Sequence, residues 1–376
     1  MADMSKPETI QDVLTPAFLV DIDRAKRNAQ KMVNICEKLG VQLRPHMKTH
    51  KTVELGVMMT NDTKKKIEVS TMEEAEFFAR NGFDDILYAY PLIKSNVKRC
   101  QKLAESISSF HVMIDSDHGL QSLLNCPLSD GKKWSVYLEV DDGSCRTGVP
   151  WNSEDFIKLA QALSQSSSIY FFGLYLFNNK AYDGSGKDHL QKAGKDGAEL
   201  LTYLCSSLKD NNIECKVLAI GNTPSCSQPH TSMNVVTEFH PGNYIFYDTQ
   251  QTTIGSCTEE EVACRLATRV IGHKPANNML LIDCGFLALS YDGKEDHPNK
   301  FATFQDNPDL KVLSFSQEIG KVSTISGQKI DFGVYPIGSM LYIYPWHSCA
   351  TACQHTIYYA HSGNKIVDTW IPAKGW

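Results

Sequence analysis

Residues 43–51 read Leu-Arg-Pro-His-Met-Lys-Thr-His-Lys, which places five basic or potentially basic side chains (Arg44, His46, Lys48, His50 and Lys51) within nine positions. Neighbouring cations and partial burial lower the pKa of a lysine, and a neutral amine is the form that condenses with an aldehyde to a Schiff base. Lys48 is the candidate for that chemistry; a solvated basic loop has the same composition. A second stretch, Gly221-Asn-Thr-Pro-Ser225, is a small-residue turn of the kind that aims backbone N–H groups at an anion. A third, Tyr344-Pro-Trp-His-Ser-Cys349, sets an imidazole and a thiol two residues apart. On an extended segment both would point to one side, and the pairing suits zinc. The plain alternative is a buried histidine beside an inert cysteine. Nearby, Cys353 reads as a packing residue and His355 carries no assignment.

The elements that must position these residues alternate through the first two-thirds of the chain. Apolar positions Ile22, Ala25, Ala29, Met32, Val33, Cys36 and Leu39 recur at helical spacing, with Asp21 as cap and Gly40 as stop. Strands are expected at 41–44, 66–69, 85–89, 110–114, 135–140, 169–176, 216–220 and 243–246, with helices between most of them, including 70–79 and 188–208. Ser70 and Glu73 have the spacing of a capping box. Eight such units are the size of a TIM (β/α)8 barrel, whose chemistry sits at the C-terminal ends of the strands. Lys48 follows the first strand and Gly221 the seventh. After about Asp248, β-branched and aromatic runs at 262–271, 278–289, 311–316, 340–344 and 354–359 predict a mostly antiparallel β domain. The expected division is therefore a barrel over 15–248 and a β domain over 249–376, which residues 1–14 join.

Composition narrows the partners. The 376 residues are 42% hydrophobic and 21% charged, the balance of a globular chain with a large core. Lys and Arg number 37 against 43 Asp and Glu, a net charge of −6 that gives nucleic acid or an anionic membrane nothing to grip. No run approaches the ~18 to 20 apolar residues of a membrane span, and the first residues lack the apolar core of a secretory signal, so a cytoplasmic protein is expected. The 12 cysteines include no C-x-x-C pair and read as reduced thiols, mostly buried.

Arg44-Pro-His-Met-Lys-Thr-His-Lys51 resembles the signature around the cofactor lysine of fold-type III pyridoxal phosphate enzymes that act on D-amino acids, the family of the eukaryotic-type D-serine dehydratases and the D-threonine aldolases. The resemblance continues in family order with Thr15-Pro-Ala17, D-x-G-x-x-R-x-G at 141–148, G-x-T-P-S at 221–225 and T-E-x-H-P-G-N-Y-x-F-Y-D at 237–248. It implies the alanine-racemase-like architecture, a Schiff base between Lys48 and pyridoxal 5'-phosphate, and Lys48 as the base that removes the α-proton. It assigns Arg146 a place near the cofactor ring and gives the phosphate to Tyr182, Gly221, Asn222, Thr223, Gly242 and Asn243. It makes His347 and Cys349 the ligands of a zinc ion acting as Lewis acid on the substrate β-hydroxyl, and it implies a homodimer. The activity it implies is dehydration of D-serine to pyruvate and ammonia.

Two positions depart from the pattern. The dehydratases carry a histidine where this chain has Phe177, which neither hydrogen-bonds nor titrates, and Asn222 replaces the usual serine of the phosphate turn. Retro-aldol cleavage of β-hydroxy-D-amino acids, as in the D-threonine aldolases, is the second reading, although those enzymes use an aspartate where this chain has Cys349. An alanine-type racemase, which needs two bases on opposite faces of the substrate and no metal, is the third, and a pyridoxal phosphate-binding relative with lost or altered activity stays open because of Phe177.

Overall fold

The structure is a computed structural model that describes residues 7–376. Two compact units emerge, the first made of residues 29–244, 254–256 and 373–376 and the second, among the described residues, of 7–28, 245–253 and 257–372.

In the first unit, eight parallel strands form one sheet: Gln42–Leu43, Lys65–Val69, Asp84–Pro91, Phe110–Ile114, Trp134–Asp141, Ile169–Phe177, Val217–Gly221 and Glu238–Phe239. The first strand pairs with the last, through Gln42 opposite Glu238. The remaining gap, between Gln42–Leu43 and Lys65–Val69, is spanned by a bridge between His46 and Glu68 and by the Glu68 amide donating to the Pro45 carbonyl at 3.0 Å. The ring closes, and the chain is the (β/α)8 barrel its alternation predicts. The eighth strand is the exception. Residues 243–246, expected as that strand, begin with the 3-10 turn Asn243–Ile245, and the strand is Glu238–Phe239. Tyr244, Ile245 and Phe246 are all buried, so their run is continuously apolar, and such a run does not distinguish a strand from a tight turn.

Helices fill the crossovers, among them Val53–Met59, Met72–Arg80, Glu154–Gln165 and the long Lys187–Asp210. The helix expected at 70–79 starts later, because Thr71 rather than Ser70 caps it, accepting from the Glu74 amide at 3.2 Å. Gly173 lets the strands Ile169–Phe177 and Val217–Gly221 approach; a Cβ there would lie 2.2 Å from the Val217 carbonyl oxygen.

The barrel interior holds Leu87, Met113, Tyr137, Tyr175 and Ala219. Towards the N-terminal ends of the strands it is charged. Arg44, 1% exposed, donates to Glu238 through Nε and Nη2 at 3.2 Å each, and to Asp85 through Nη1 at 2.7 Å. Tyr137 also donates to Glu238 at 2.8 Å.

The second unit carries a nine-stranded sheet among the described residues. The expected runs appear as Cys264–Lys274, Met279–Ile282, Leu310–Phe315, Met340–Pro345 and Tyr358–Ser362. Four further strands join them: Ala17–Asp21, Ala302–Phe304, Gly320–Thr324 and Lys365–Trp370. Pairing is antiparallel except between Ala17–Asp21 and Tyr358–Ser362. Ala17–Asp21, whose residues were expected to open the barrel segment, thus sits between Cys264–Lys274 and Tyr358–Ser362 in this sheet. None of the 12 cysteines is disulfide-bonded.

The Arg44 cluster generates a stability prediction. Arg44→Ala strands two carboxylates inside the barrel and should cost about 3 to 5 kcal/mol in denaturant unfolding. Loss of less than about 1 kcal/mol would mean that the cluster is hydrated or rearranges.

Candidate active site

Met47–Thr49 forms a single 3-10 turn after the first barrel strand, capped by His46, whose Nδ1 accepts from the Lys48 amide at 3.3 Å. The five basic groups of this segment do not behave alike. Arg44 is neutralised by Glu238 and Asp85, and Lys51 pairs with Glu74 at 2.9 Å. Burial holds His50 down to about 3, and burial followed by the charge of Lys48 holds His46 well below the usual imidazole range. Among the described residues Lys48 makes no ion pair. The expected crowd of neighbouring cations is therefore corrected: His46 and His50 are uncharged, and Arg44 and Lys51 are each matched by a carboxylate.

Beside it lies a buried polar network. Glu68 is fully buried; its Oε1 accepts from Tyr175 Oη at 2.7 Å and lies 3.2 Å from His46 Nε2. Since His46 Nδ1 is an acceptor, Nε2 carries the proton and serves Glu68 and Ser70 Oγ, 3.1 Å away. Glu68 Oε2 is 3.6 Å from His240 Nδ1, and the His240 ring stacks on Tyr175 at 4.1 Å. Burial pushes the Glu68 carboxyl up to about 8 and the His240 imidazole down to about 3.

Phe177 gathers three of the predicted residues. Lys48 Nζ lies 5.7 Å from its ring centroid and the Arg146 guanidinium carbon 4.4 Å, while the Tyr182 ring is near-parallel to it at 6.5 Å. Arg146 reaches Phe177 from the 141–148 loop, which ends at Gly148 with φ +106°, where a Cβ would lie 2.6 Å from the Asp141 amide nitrogen.

The phosphate-turn candidates cluster on the same network. A Cβ on Gly221 would lie 2.7 Å from His240 Nδ1, and one on Gly242 would lie 2.8 Å from the His46 carbonyl oxygen. Asn222 caps the short helix Thr223–Ser227, its Oδ1 accepting from the Ser225 amide at 2.7 Å, while its Nδ2 donates to the Asn178 carbonyl. Thr223 and Asn243 are buried, and Ser225 Oγ is buried with no partner.

In the second unit, His347 has extended backbone and caps the helix Ser348–Ala352, so Cys349 lies in a helical turn rather than on the extended segment expected. The turn still keeps the thiol near the capping residue, and against the opposing effect of burial Cys349 and Asp292 hold the His347 pKa well above the usual imidazole value. His347 Nδ1 is 2.6 Å from Asp292 Oδ2, and the Ser348 amide donates to Asp248 at 2.8 Å. Among the described residues no third histidine, cysteine or carboxylate completes a metal-holding group of three. Cys353, expected to pack, is exposed at the end of that helix, and His355 Nε2 bonds the Ala288 carbonyl at 2.8 Å.

Sequence reasoning assigned no role to Glu68, Tyr175 or Asp292. Glu68 had a visible signal, a carboxylate between Ile67 and Val69 in a strand with buried neighbours. Asp292 had none, lying in a loop 55 residues before its histidine.

Residues 20–250 match the family described as "Alanine racemase, N-terminal domain", and residues 263–361 match the "Putative serine dehydratase domain". Together with a closed barrel and a lysine-bearing turn after its first strand, these matches define the class: a pyridoxal phosphate-dependent lyase of alanine-racemase-like fold. The chain is 32% identical to the D-serine dehydratase of Dictyostelium discoideum, covering 98% of this chain and 99% of that one. The solved structure of D-threo-3-hydroxyaspartate dehydratase from Delftia sp. HT23 superposes with a TM-score of 0.92 at 27% identity, over 98% of this chain and 100% of that one. The D-threonine aldolase of an Arthrobacter species is 24% identical over 96% of this chain and 93% of that one. The chain belongs to the D-serine dehydratase family of fold-type III pyridoxal phosphate enzymes.

The raised Glu68 pKa makes stability pH-dependent. Unfolded, this carboxyl titrates near its ordinary 4.5; folded, it keeps its proton up to about 8, so its contribution is full below 4.5 and is lost as the pH rises through 8. The stability of wild type relative to Glu68→Gln should therefore fall between about pH 5 and about pH 8 in denaturant titrations. A pH-independent difference would show that Glu68 is ionised throughout.

Proposed function

We propose that this chain converts D-serine to pyruvate and ammonia, using pyridoxal phosphate held at Lys48 and zinc held at His347 and Cys349, as a cytoplasmic homodimer. When bound, pyridoxal phosphate supplies the electron sink and zinc the Lewis acid that elimination of a hydroxide requires. The observation that carries the reading is Lys48: of the arginine and two lysines in its segment it alone lacks an ion pair among the described residues, in a turn at the functional end of the barrel.

The residues present fit both groups. Ser225 Oγ is a buried hydroxyl without a partner in the turn assigned to the phosphate, and Gly221 and Gly242 leave bare backbone where any side chain would strike His240 or His46. Gly221, Asn222, Thr223, Gly242 and Asn243 would hold the phosphate with Tyr182, and Arg146 would lie along the ring. Phe177 offers a flat apolar face beside Lys48 and Arg146. For the metal, a borderline nitrogen and a soft sulfur suit zinc, and the carboxylate of Asp292 on Nδ1 orients the imidazole as outer partners of metal-bound histidines do. A relative supports the assignment: a cysteine-to-alanine mutant of D-threo-3-hydroxyaspartate dehydratase has been solved "in the metal-free form", with a TM-score of 0.90 at 27% identity over 98% of this chain and 100% of that one.

Lys48 then does two jobs in turn. Its Nζ would hold the cofactor, and the same amine, once free, would take the proton from the substrate Cα. Around it, burial keeps His46 and His240 uncharged, so neither competes with Lys48 for the phosphate or the substrate carboxylate. His46 holds the Lys48 amide, and Glu68 holds His46, which sets where Nζ emerges.

Lys48→Ala should lose the visible absorption band of the protein-bound cofactor together with pyruvate formation; a retained band would remove Lys48 from its role. His347→Ala should keep the band and lower D-serine turnover by about 100-fold or more, and unchanged turnover would refute the metal role. Asp292→Asn should weaken zinc binding by about 10- to 100-fold in a chelator competition while leaving the band intact. Glycine formed from D-threonine in place of pyruvate from D-serine would select the aldolase reading.

A further inference from the structure

The second unit contains a polar depression that the proposed chemistry does not use. It is lined by Asp21, Arg24, Val262, Ala263, Cys264, Arg265, Tyr344 and His361, and measures about 210 Å³ open to solvent, with room for one small ion rather than a whole metabolite. It forms where three strands run side by side. Asp21 is opposite His361 on one neighbour, and Val20 is opposite Cys264 on the other. Arg24 reaches over from the first turn of the helix Ile22–Leu39.

The charges around this depression do not balance. Arg24 has a carboxylate, with Nε 3.4 Å from Asp21 Oδ2, and its Nη1 donates to the Val262 carbonyl at 2.9 Å. Arg265 has none. Its Nη1 donates to the neutral Gln305 at 2.6 Å and its guanidinium stacks 4.3 Å over the Tyr342 ring. Burial, with the repulsion of Arg24, holds the Arg265 pKa below the usual guanidinium value. Asp23, the next carboxylate, is turned to Ser362 Oγ at 2.6 Å. Two guanidinium groups therefore line the depression together with a single carboxylate, that of Asp21.

His361 sharpens the picture. It is 2% exposed, its Nδ1 lies 2.8 Å from the Gly363 carbonyl, and its Nε2 is buried with no partner. A carbonyl accepts, so Nδ1 carries the proton and Nε2 presents a lone pair. An acceptor beside two cations is complemented by a ligand that is both anionic and able to donate, which an acid phosphate oxygen does.

We propose that this depression is a binding site for a small oxyanion, held by Arg265 and Arg24 with the Tyr344 hydroxyl and His361 at its border. The chemistry fits free phosphate, whose acid oxygen also donates to His361 Nε2; the carboxylate of a small acid would meet the guanidinium groups alone. Guanidinium groups grip either one in the same forked geometry. The inference stands apart from the proposed reaction, because none of its residues belongs to the lysine turn, the phosphate turn or the His347–Cys349 pair.

The test uses the protein saturated with pyridoxal phosphate, so that the cofactor occupies its own phosphate site. Inorganic phosphate and acetate are titrated separately by calorimetry into wild type, Arg265→Gln and Arg24→Gln, with circular dichroism checking that each variant is folded. Saturable binding of one anion per chain, weakened about tenfold or more in Arg265→Gln, is expected, and which anion binds names the source. Arg24→Gln serves as the second variant should Arg265→Gln fail to fold, and the same loss is expected there. No saturable binding of either anion, or binding unchanged in both variants, would overturn the proposal.

Discussion

The barrel closes where Glu68 meets His46, and the arrangement of the site follows from that contact. One bridge and one backbone hydrogen bond span this gap in the ring, with Arg44 donating to the Ile67 carbonyl, Lys66 donating to Gln42, and the buried Glu68–His46 pair across it. Glu68 is fully buried, and a buried carboxyl persists only when its oxygens are served. Tyr175 and His46 serve one oxygen, and His240 approaches the other. Those partners come from three different stretches of chain, so satisfying one carboxyl ties together the strands on which the Lys48 turn, the Phe177 end and the 240–243 loop depend. Lys48 is two residues beyond His46 and its amide bonds the same ring. Its position is a consequence of closure.

Burial also decides which charges survive inside the barrel. At the N-terminal side, Arg44 is matched by Glu238 and Asp85, an arrangement whose removal of one partner is costly but whose net contribution to stability is small. At the C-terminal side the solution is neutralisation: His46, His50 and His240 lose their charge, and Glu68 tends to keep its proton. Between the two layers stand the rings of Tyr137 and Tyr175, edge to face at 6.5 Å, each donating to a glutamate. The cations beside the Phe177 ring are thus Lys48 and Arg146, and the imidazoles around Lys48 are neutral.

How far all this could be read from the sequence depended on whether the signal was local. Strands such as Phe110–Ile114 and Ile169–Phe177 announce themselves because barrel strands are buried on both faces and read as apolar runs. The eighth strand did not, since Glu238 is recruited to Arg44 and breaks the run, while the buried turn after it imitates a strand. Gly320–Thr324 and Lys365–Trp370 were missed because polar residues alternate along them. At the site, Lys48, Arg146 and Tyr182 lie more than a hundred residues apart in part, yet the motifs that carry them converge on Phe177. Their shared neighbour was noted only as a departure from the family. Glu68, Tyr175 and Asp292 act through contacts 22 or more residues distant in sequence, and nothing in local spacing records such contacts.

Phe177 is then better understood as a charge-neutral partner than as a missing histidine. Two cations approach its ring, Arg146 at 4.4 Å and Lys48 at 5.7 Å, both within the range over which an aromatic quadrupole attracts a positive charge. An imidazole in this position would face the same two cations, and they would disfavour its protonation as Lys48 does that of His46. Either ring is therefore uncharged there, and what phenylalanine gives up is the lone pair and the N–H rather than a positive charge. The packing of Arg146 and Tyr182 against the ring needs neither. The immediate neighbours of Lys48 at this end of the barrel are a benzene ring, two neutral imidazoles and a carboxyl that holds its own proton.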